Sequence, residues 1–120
     1  MATIASLAGT EYCYLTTTGR RTGEPHRIEI WFVAHDDGAY LLSDSGRSDW
    51  HRNLEARPEV SIEIAGERRE TVAHPVAAGD PANDVVRPAM VAKYQPGYGE
   101  DLADWSVRAS LVRVEWPPAP

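Results

Sequence analysis

The chain has 120 residues, of which 42% are hydrophobic and 25% charged, so it fits one globular domain with its own core. A formal net charge of −6 and a pI near 5.1 exclude a broad basic face for nucleic acid. The lone Cys13, a candidate core residue, excludes an intrachain disulfide. No apolar run approaches the ~20 residues of a transmembrane helix, and residues 1–10 lack a basic export signal. We therefore expect a cytoplasmic protein that does not associate with membranes.

The first predicted elements are two strands joined by an arginine-rich loop. Aromatic and β-branched residues favour strands over 12–18 and 28–35. The loop between them is too long for a simple hairpin and holds two glycines with Arg20, Arg21 and Arg27. Guanidinium groups on a pliable backbone suit an anion, most often a phosphate or a carboxylate. A solvated hairpin tip without a ligand is the alternative.

The rest of the chain reads as further hairpins with two helical segments. The predicted elements are a turn at 36–38, a strand at 39–43, a helix at 48–56 capped by Ser48, a hairpin of strands 60–65 and 68–76 around Gly66-Glu67, a helix from Asp80 or Asn83 to Tyr94, helical turns at 101–107 and a strand at 110–116. Strands joined mainly by hairpins predict an α+β fold in which an antiparallel sheet closes into a small barrel. We predict one domain over 1–120, with 1–10 leading into the first strand and 117–120 forming a proline-rich tail.

A second anion contact is predicted after the third strand. If the second and third strands pair, the segment 43–48 leaves the sheet where the arginine loop enters it. Its small residues expose backbone N–H groups, Arg47 adds positive charge, and a helix N-terminus follows. An ordinary strand-to-helix loop is the alternative.

Aromatic residues near the C-terminus suggest a lid. Tyr94 and Tyr98 flank a Pro-Gly pair, and Trp105 follows. Such residues give apolar walls and phenolic donors to a bound ring, although they would serve equally to pack the end of a barrel. Trp50 is predicted to be core or pocket wall. The four histidines fall at no metal-ligand spacing, so no metal site is predicted.

Three of these segments, taken in order, resemble the deazaflavin-dependent nitroreductase family, also called the F420H2-dependent quinone reductase family. The first is 15–27, close to the family's Leu-Thr-Thr-x-Gly-Arg-Lys-(Ser/Thr)-Gly-x-Pro-Arg pattern. The second is 50–60, which resembles its Trp-x-x-Asn-Leu-x-x-x-Pro-x-Val helix and strand. The third comprises Tyr94, Tyr98 and the Trp-x-x-Arg at 105–108. The resemblance implies the split β-barrel shared with the FMN-binding pyridoxamine-phosphate oxidases.

The family resemblance also implies coenzyme F420, whose phosphate and oligoglutamate tail need cations that the acidic remainder of the chain lacks. The protein would pass a hydride from the reduced deazaflavin to a small-molecule acceptor, namely a quinone, an enone or a nitro compound. Tyr98 is the first candidate for the proton donor and Tyr94 the second. The implied cofactor-binding residues are Arg20, Arg21, Thr22, Gly23, Arg27, Ser45, Gly46, Arg47 and Trp50.

The sequence departs from the family at Glu29, near positions where proline is common. A carboxylate facing the ring would disfavour an anionic reduced deazaflavin, whereas strand alternation permits Glu29 to face water. Two other functions stay open: a binding module that sequesters a flavin, deazaflavin or haem-like ligand, and an FMN-dependent oxidoreductase of the same fold. Sheet edges favour a homodimer without requiring one.

Overall fold

The computed structural model describes residues 2–44 and 46–119, and this part of the chain forms seven strands and three α-helices. The strands are β1 (Cys13–Thr18), β2 (Pro25–Ile30), β3 (Val33–His35), β4 (Gly38–Ser43), β5 (Glu59–Ile64), β6 (Glu67–Pro75) and β7 (Ser110–Glu115). The helices are α1 (Asp49–Ala56), α2 (Ala82–Tyr94) and α3 (Ala103–Arg108). Short 3₁₀ turns lie at Ala5–Leu7 and Gln95–Gly97.

The seven strands form one antiparallel sheet in the order β2–β1–β5–β6–β7–β4–β3. β2 and β3 lie at opposite edges of this order, yet only Trp31 and Phe32 separate them along the chain. The chain therefore passes directly from one edge of the sheet to the other, and the sheet curls into a split barrel. The predicted fold class is confirmed.

The predicted single strand over 28–35 is wrong, because the chain breaks there into β2 and β3. Phe32 is fully buried, and its N–H donates to the hydroxyl of Tyr94 at 3.0 Å instead of to a neighbouring strand. The predicted pairing with the third strand consequently holds for β3 alone, where Val33 lies opposite Tyr40. β2 pairs with β1 instead.

Other boundaries differ from prediction in ways that bear on the site. β2 begins at Pro25, so the link after β1 is the six-residue segment 19–24, and Arg27 belongs to the strand rather than to the loop. Ser48 does not cap α1 through its side chain, because its hydroxyl is hydrogen-bonded to that of Ser43 at 2.9 Å. The turn between β5 and β6 lies at Ala65 and Gly66, where both φ angles are positive, one residue earlier than predicted.

Two apolar clusters lie on either side of β4, whose residues are all buried. The first fills the barrel and includes Cys13, Leu15, Phe32, Leu41, Leu54, Ile62 and Val114. The second lies beneath α2 and includes Val33, Leu42, Val86, Met90, Tyr94 and Leu111. Because α2 covers the second face of β4, the strand reads as a continuous apolar run rather than as an alternating one.

Candidate functional site

A cavity of about 390 Å³ opens where the two apolar clusters meet. We call it the aromatic cavity, because four aromatic side chains contribute to its wall. Its lining residues are Tyr12, Glu29, Ile30, Trp31, Leu42, Ser43, Asp44, Ser48, Trp50, Met90 and Trp105. This volume lies within the range of small-molecule sites, and flat aromatic walls suit a planar ring system.

Trp31 is the centre of an aromatic group on one side of this cavity. Its ring stacks on that of Tyr94, with centroids 4.3 Å apart and planes 5° apart. Tyr98 and Trp105 each meet Trp31 edge-on, at 5.4 and 5.9 Å. The predicted lid residues therefore do come together, and they converge on Trp31, which lies at the break between β2 and β3.

The hydroxyl of Tyr94 is committed to the backbone. It accepts from Phe32 N at 3.0 Å and lies within hydrogen-bond distance of the carbonyl oxygens of Glu11, at 2.6 Å, and Phe32, at 3.1 Å. The pKa of Tyr94 is raised to about 12, mainly because its hydroxyl is buried. A phenol held in this way is a poor proton donor to a substrate, and the geometry favours a positioning role for Tyr94.

Lys93 also contacts the break between β2 and β3. Its Nζ donates to the carbonyl of Phe32 at 2.8 Å and lies 3.8 Å from the centroid of the Phe32 ring. Burial lowers the pKa of Lys93. Lys93 and Tyr94 together fix the bend that presents Trp31 to the cavity. No sequence pattern indicated the contribution of Lys93.

Tyr98, the predicted proton donor, is 43% exposed and touches the aromatic cavity only through the edge of Trp31. Tyr12, which the sequence did not single out, lies on the cavity wall and is 37% exposed. The charge of Glu11 is the main cause of the raised pKa of Tyr12. Tyr12 is therefore a second exposed phenol at the aromatic cavity, in addition to the predicted Tyr98.

Arg20 binds the loop to helix α1. Its backbone N–H and Nη1 both donate to Oδ1 of Asn53, at 3.2 and 2.8 Å, and its Nη2 lies 3.3 Å from Oδ1 of Asp49. Asn53 in turn donates to Oγ1 of Thr17 in β1. The arginine loop is thus docked on α1, and Arg20 has a structural role in addition to any role in binding.

The predicted loop residues gather around a second, smaller cavity of about 160 Å³, which we call the arginine cavity. It is lined by Gly19, Arg20, Arg21, Thr22, His26, Asp49 and Asn53. Arg21 is exposed. Gly23 has a φ of 75° and donates to the carbonyl of Gly19 at 2.8 Å, which closes the loop and favours glycine at this position. Arg20, Arg21 and Thr22 are therefore brought together as predicted.

Arg27 is not part of that group. It lies on the outer face of β2, where its guanidinium sits 4.1 Å from the centroid of the Tyr14 ring and its Nη2 is 3.8 Å from Glu63. Because side chains alternate along a strand, this face points away from Ile28 and Ile30, which pack against the barrel core. Because the predicted loop extended to Arg27, sequence patterns did not indicate its position on β2.

The segment between β4 and α1 borders the aromatic cavity through Asp44 and Ser48. None of its described residues lines the arginine cavity, so the predicted meeting with the arginine loop is not seen there. Gly46 has a φ of 69°, and a Cβ there would come within 2.9 Å of Oγ of Ser110, so this position requires glycine. Arg47 is exposed. Ser45, also predicted to bind the cofactor, lies outside the described residues.

Helix α1 separates the two cavities. Ser48 and Trp50 face the aromatic cavity, while Asp49 and Asn53 face the arginine cavity. His51 is buried beneath the turn at Gly46, and its Nδ1 has no hydrogen-bond partner among the described residues. The predicted position of Trp50 at a pocket wall agrees with the structure.

Residues 2–44 and 46–119 contain no group of three or more metal-ligating side chains. Within the same ranges, every helix is too short or too polar to cross a bilayer.

Two solved structures resemble this fold closely. An F420-H2 dependent reductase, FDR-A, matches with a TM-score of 0.68 at 18% identity, over 87% of this chain and 93% of its own. The haem storage protein HutZ of Vibrio cholerae matches with a TM-score of 0.71 at 23% identity, over 93% of this chain and 86% of its own. At such identities the likeness shows the fold alone, which is the split barrel.

Sequence comparison is more specific. An F420H(2)-dependent quinone reductase of Mycobacterium tuberculosis H37Rv is 36% identical over 72 residues, which cover 56% of this chain and 48% of the relative. The match thus spans about half the length of the curated relatives. The family model for F420H(2)-dependent quinone reductases matches residues 2–117, nearly the entire sequence. The chain therefore belongs to the F420H(2)-dependent quinone reductase family.

Proposed function

We propose that this protein is an F420-dependent oxidoreductase that passes a hydride from reduced deazaflavin to an electron-poor quinone, enone or nitro compound. The observation that carries the proposal is the pairing of an aromatic cavity with an arginine cavity across helix α1, in a chain of this family. Neither cavity alone would suit the cofactor, which combines a flat ring with anionic groups.

The described residues offer the two kinds of group that this cofactor requires. Trp31, Trp50 and Trp105 give the aromatic cavity flat apolar walls for a ring. Arg20 and Arg21 offer guanidinium groups that match phosphate or carboxylate oxygens. Arg47, which is exposed beside the N-terminus of α1, is the further contact that we assign to the anionic part.

The bound cofactor supplies the hydride, so the protein must hold the reactants, exclude water and donate a proton. Trp31 is fixed by Tyr94 and Lys93 and gives one rigid wall. Tyr98 is our candidate for the proton donor, since it is exposed and abuts that wall. Tyr12 is the alternative, because it lines the cavity itself.

The direct test is a titration of the purified apo-protein with oxidised F420, FMN and NADPH, followed by quenching of tryptophan fluorescence. We expect F420 alone to bind, with an affinity that weakens as salt screens the arginines. The same preparation should then oxidise F420H2 in the presence of menadione, measured as the return of the deazaflavin absorbance.

The titration separates this function from its alternatives. Preferred binding of FMN would assign the protein to the flavin-dependent oxidoreductases of the same fold. Tight binding of F420 without turnover on quinones, enones and nitro compounds would indicate a sequestering module. The likeness to HutZ concerns the fold alone and gives no independent support for a haem ligand.

A homodimer and a cytoplasmic location belong to the same proposal. The edges of β2 and β3 are free of strand partners within the described sheet, and such edges are common sites of association. Sedimentation velocity would give the oligomeric state, and cell fractionation would give the location.

A further inference from the structure

His26 lies in the arginine cavity, although it is not among the predicted cofactor-binding residues. Alternate residues of a strand share a face, so His26 lies on the same face of β2 as Ile28 and Ile30, which pack against the barrel core. It is the second residue of the strand, opposite Thr17 of β1. Its side chain therefore lines the cavity, whereas that of Arg27 lies on the outer face.

Gly19 leaves space for the imidazole of His26. A Cβ at Gly19 would lie 2.7 Å from Oγ1 of Thr22 and 2.9 Å from Nε2 of His26. The hydroxyl and the imidazole nitrogen therefore approach the same point above the loop, in the cavity that Arg20 and Arg21 also line. A larger residue at position 19 would fill the space between them.

His26 differs from the other three histidines in its lack of an acidic partner. His35, His51 and His74 lie 3.3, 3.6 and 3.8 Å from a carboxylate oxygen. Within residues 2–44 and 46–119, His26 forms no ion pair. Its side chain is exposed, so a ligand from solvent can reach the ring.

The charges around His26 couple its protonation to anion binding. The charged side chains that line the cavity with it are Arg20, Arg21 and Asp49, and Oδ1 of Asp49 lies 3.3 Å from Nη2 of Arg20. Thr17, opposite His26 on β1, is uncharged. A proton on His26 adds positive charge beside two arginines, which they oppose and a bound anion favours. Proton uptake and anion binding therefore strengthen each other.

We propose that His26 is a further anion-binding residue of the arginine cavity and contributes only when protonated, so that the affinity for F420 rises as the pH falls. This inference rests on the proposed function, since it concerns cofactor binding at the same site. Histidine ordinarily changes charge between about pH 5 and 8, so the contribution is present at the acidic end of that range and lost at the alkaline end. The arginines keep their charge throughout.

The test compares the binding of oxidised F420 by wild type, His26→Gln and His26→Arg at about pH 5.5 and about pH 8, in low salt, followed by tryptophan quenching. At the lower pH, wild type should bind about three- to tenfold more tightly than His26→Gln, and at the higher pH the two should bind equally. His26→Arg has a permanent charge and should bind more tightly than His26→Gln at both. Comparison at one pH at a time removes any effect of the titration of F420 itself.

The matched control is His74→Gln, which removes an exposed histidine of β6 that lines neither cavity. It should bind F420 as wild type does at both pH values. The proposal is overturned if His26→Gln matches wild type at the lower pH, if the two differ equally at both pH values, or if His74→Gln acts as His26→Gln does.

Sulfate separates this inference from the proposed function, because its charge is constant over the same pH range. Its binding to the apo-protein can be followed by the backbone amide chemical shifts of Gly19 and Gly23. The gain in sulfate affinity at the lower pH should be larger in wild type than in His26→Gln. That result in a protein that does not bind F420 would support the anion site and overturn the proposed function. Binding of F420 with the same pH dependence in wild type and His26→Gln would overturn the role of His26 and leave the reductase function intact.

Discussion

Arg20 and Arg21 are neighbours with different tasks. Arg20 holds the loop to α1 through Asn53 and Asp49, whereas Arg21 is exposed at the rim of the arginine cavity. Arg21→Ala should therefore weaken F420 binding about tenfold, the value of one charge-assisted hydrogen bond, without changing the free energy of unfolding. Arg20→Ala should lower both quantities.

Fluorescence titration measures the affinity for F420, and urea denaturation measures the free energy of unfolding. Arg57→Ala removes an equal charge from the exposed residue that follows α1, outside both cavities, and serves as the control. If Arg21→Ala bound F420 as wild type does, the arginine cavity would not be the anion site.

The two exposed phenols beside the aromatic cavity can be separated by substitution. Tyr98→Phe should lower kcat about 100-fold, since general acid catalysis contributes about that much or more, and should leave the affinity for F420 unchanged. Tyr12→Phe should keep most of the activity. Steady-state kinetics with menadione, together with the solvent isotope effect on kcat, gives the readout. The reverse pattern would assign the donor to Tyr12, which lies on the wall itself.

At the scale of elements, the contact between helix α2 and the β2–β3 bend gives the cavity its rigid wall. Tyr94→Phe keeps the ring that stacks on Trp31 but leaves the buried N–H of Phe32 and the partly buried carbonyl of Glu11 without their partner. We expect the free energy of unfolding to fall by about 1–3 kcal/mol. KM for the acceptor should rise because Trp31 is less firmly held.

Urea denaturation tests the predicted loss of stability, and steady-state kinetics tests the predicted rise in KM. Tyr14→Phe is the control, since it removes from a half-buried tyrosine a hydroxyl whose bond to Glu29 is exposed to solvent, and it should not change stability measurably. Unchanged stability and KM in Tyr94→Phe would mean that the bend holds without this hydroxyl.

The same bend shows where sequence patterns succeed and fail. Turn residues predicted the reversal at Asp36 and Asp37, because two successive positive φ values favour short polar residues. The strand break at Trp31 left no local signal, since Ile30, Phe32 and Val33 all favour strands. The bend is held instead by the hydroxyl of Tyr94, which lies 62 residues after its partner Phe32. Arg27 was misplaced for a related reason, because β2 begins earlier than its apolar residues suggest.

At the scale of the whole molecule, the sheet order brings distant segments to one cavity. Tyr12, Trp31, Asp44 and Trp105 share a wall although they come from four parts of the chain. Periodicity predicted the strands next to which Tyr12, Trp31 and Asp44 lie, and the arginine loop was evident from its composition. The hydrogen bond between Trp105 and Asp44 spans 61 residues, and such a pairing follows from topology rather than from any local pattern.

Burial of two acidic groups makes the stability of the molecule sensitive to high pH. Burial raises the pKa of the Cys13 thiol from 9.0, and that of the Tyr94 phenol from 10.0, to about 12 in each case. The folded protein thus holds protons that the unfolded chain releases, so this stabilisation is complete below pH 9 and is lost as the pH rises to 12. Each group can contribute a slope of up to about 1.4 kcal/mol per pH unit. Lys93 acts in the opposite sense, because burial lowers its pKa.

Urea denaturation at a series of pH values between 8 and about 11.5 measures the slope. Wild type should lose stability steadily over this range, and Cys13→Ala and Tyr94→Phe should each show a shallower loss whatever their stability at pH 8. Tyr98→Phe, which removes an exposed phenol, should follow the wild-type slope. In Cys13→Ala the slope also includes a change in the titration of Lys93, because the charge of Cys13 raises the pKa of Lys93. Parallel curves for wild type and Cys13→Ala would mean that the thiol does not titrate with unfolding, and that Cys13 contributes to the barrel core through packing alone.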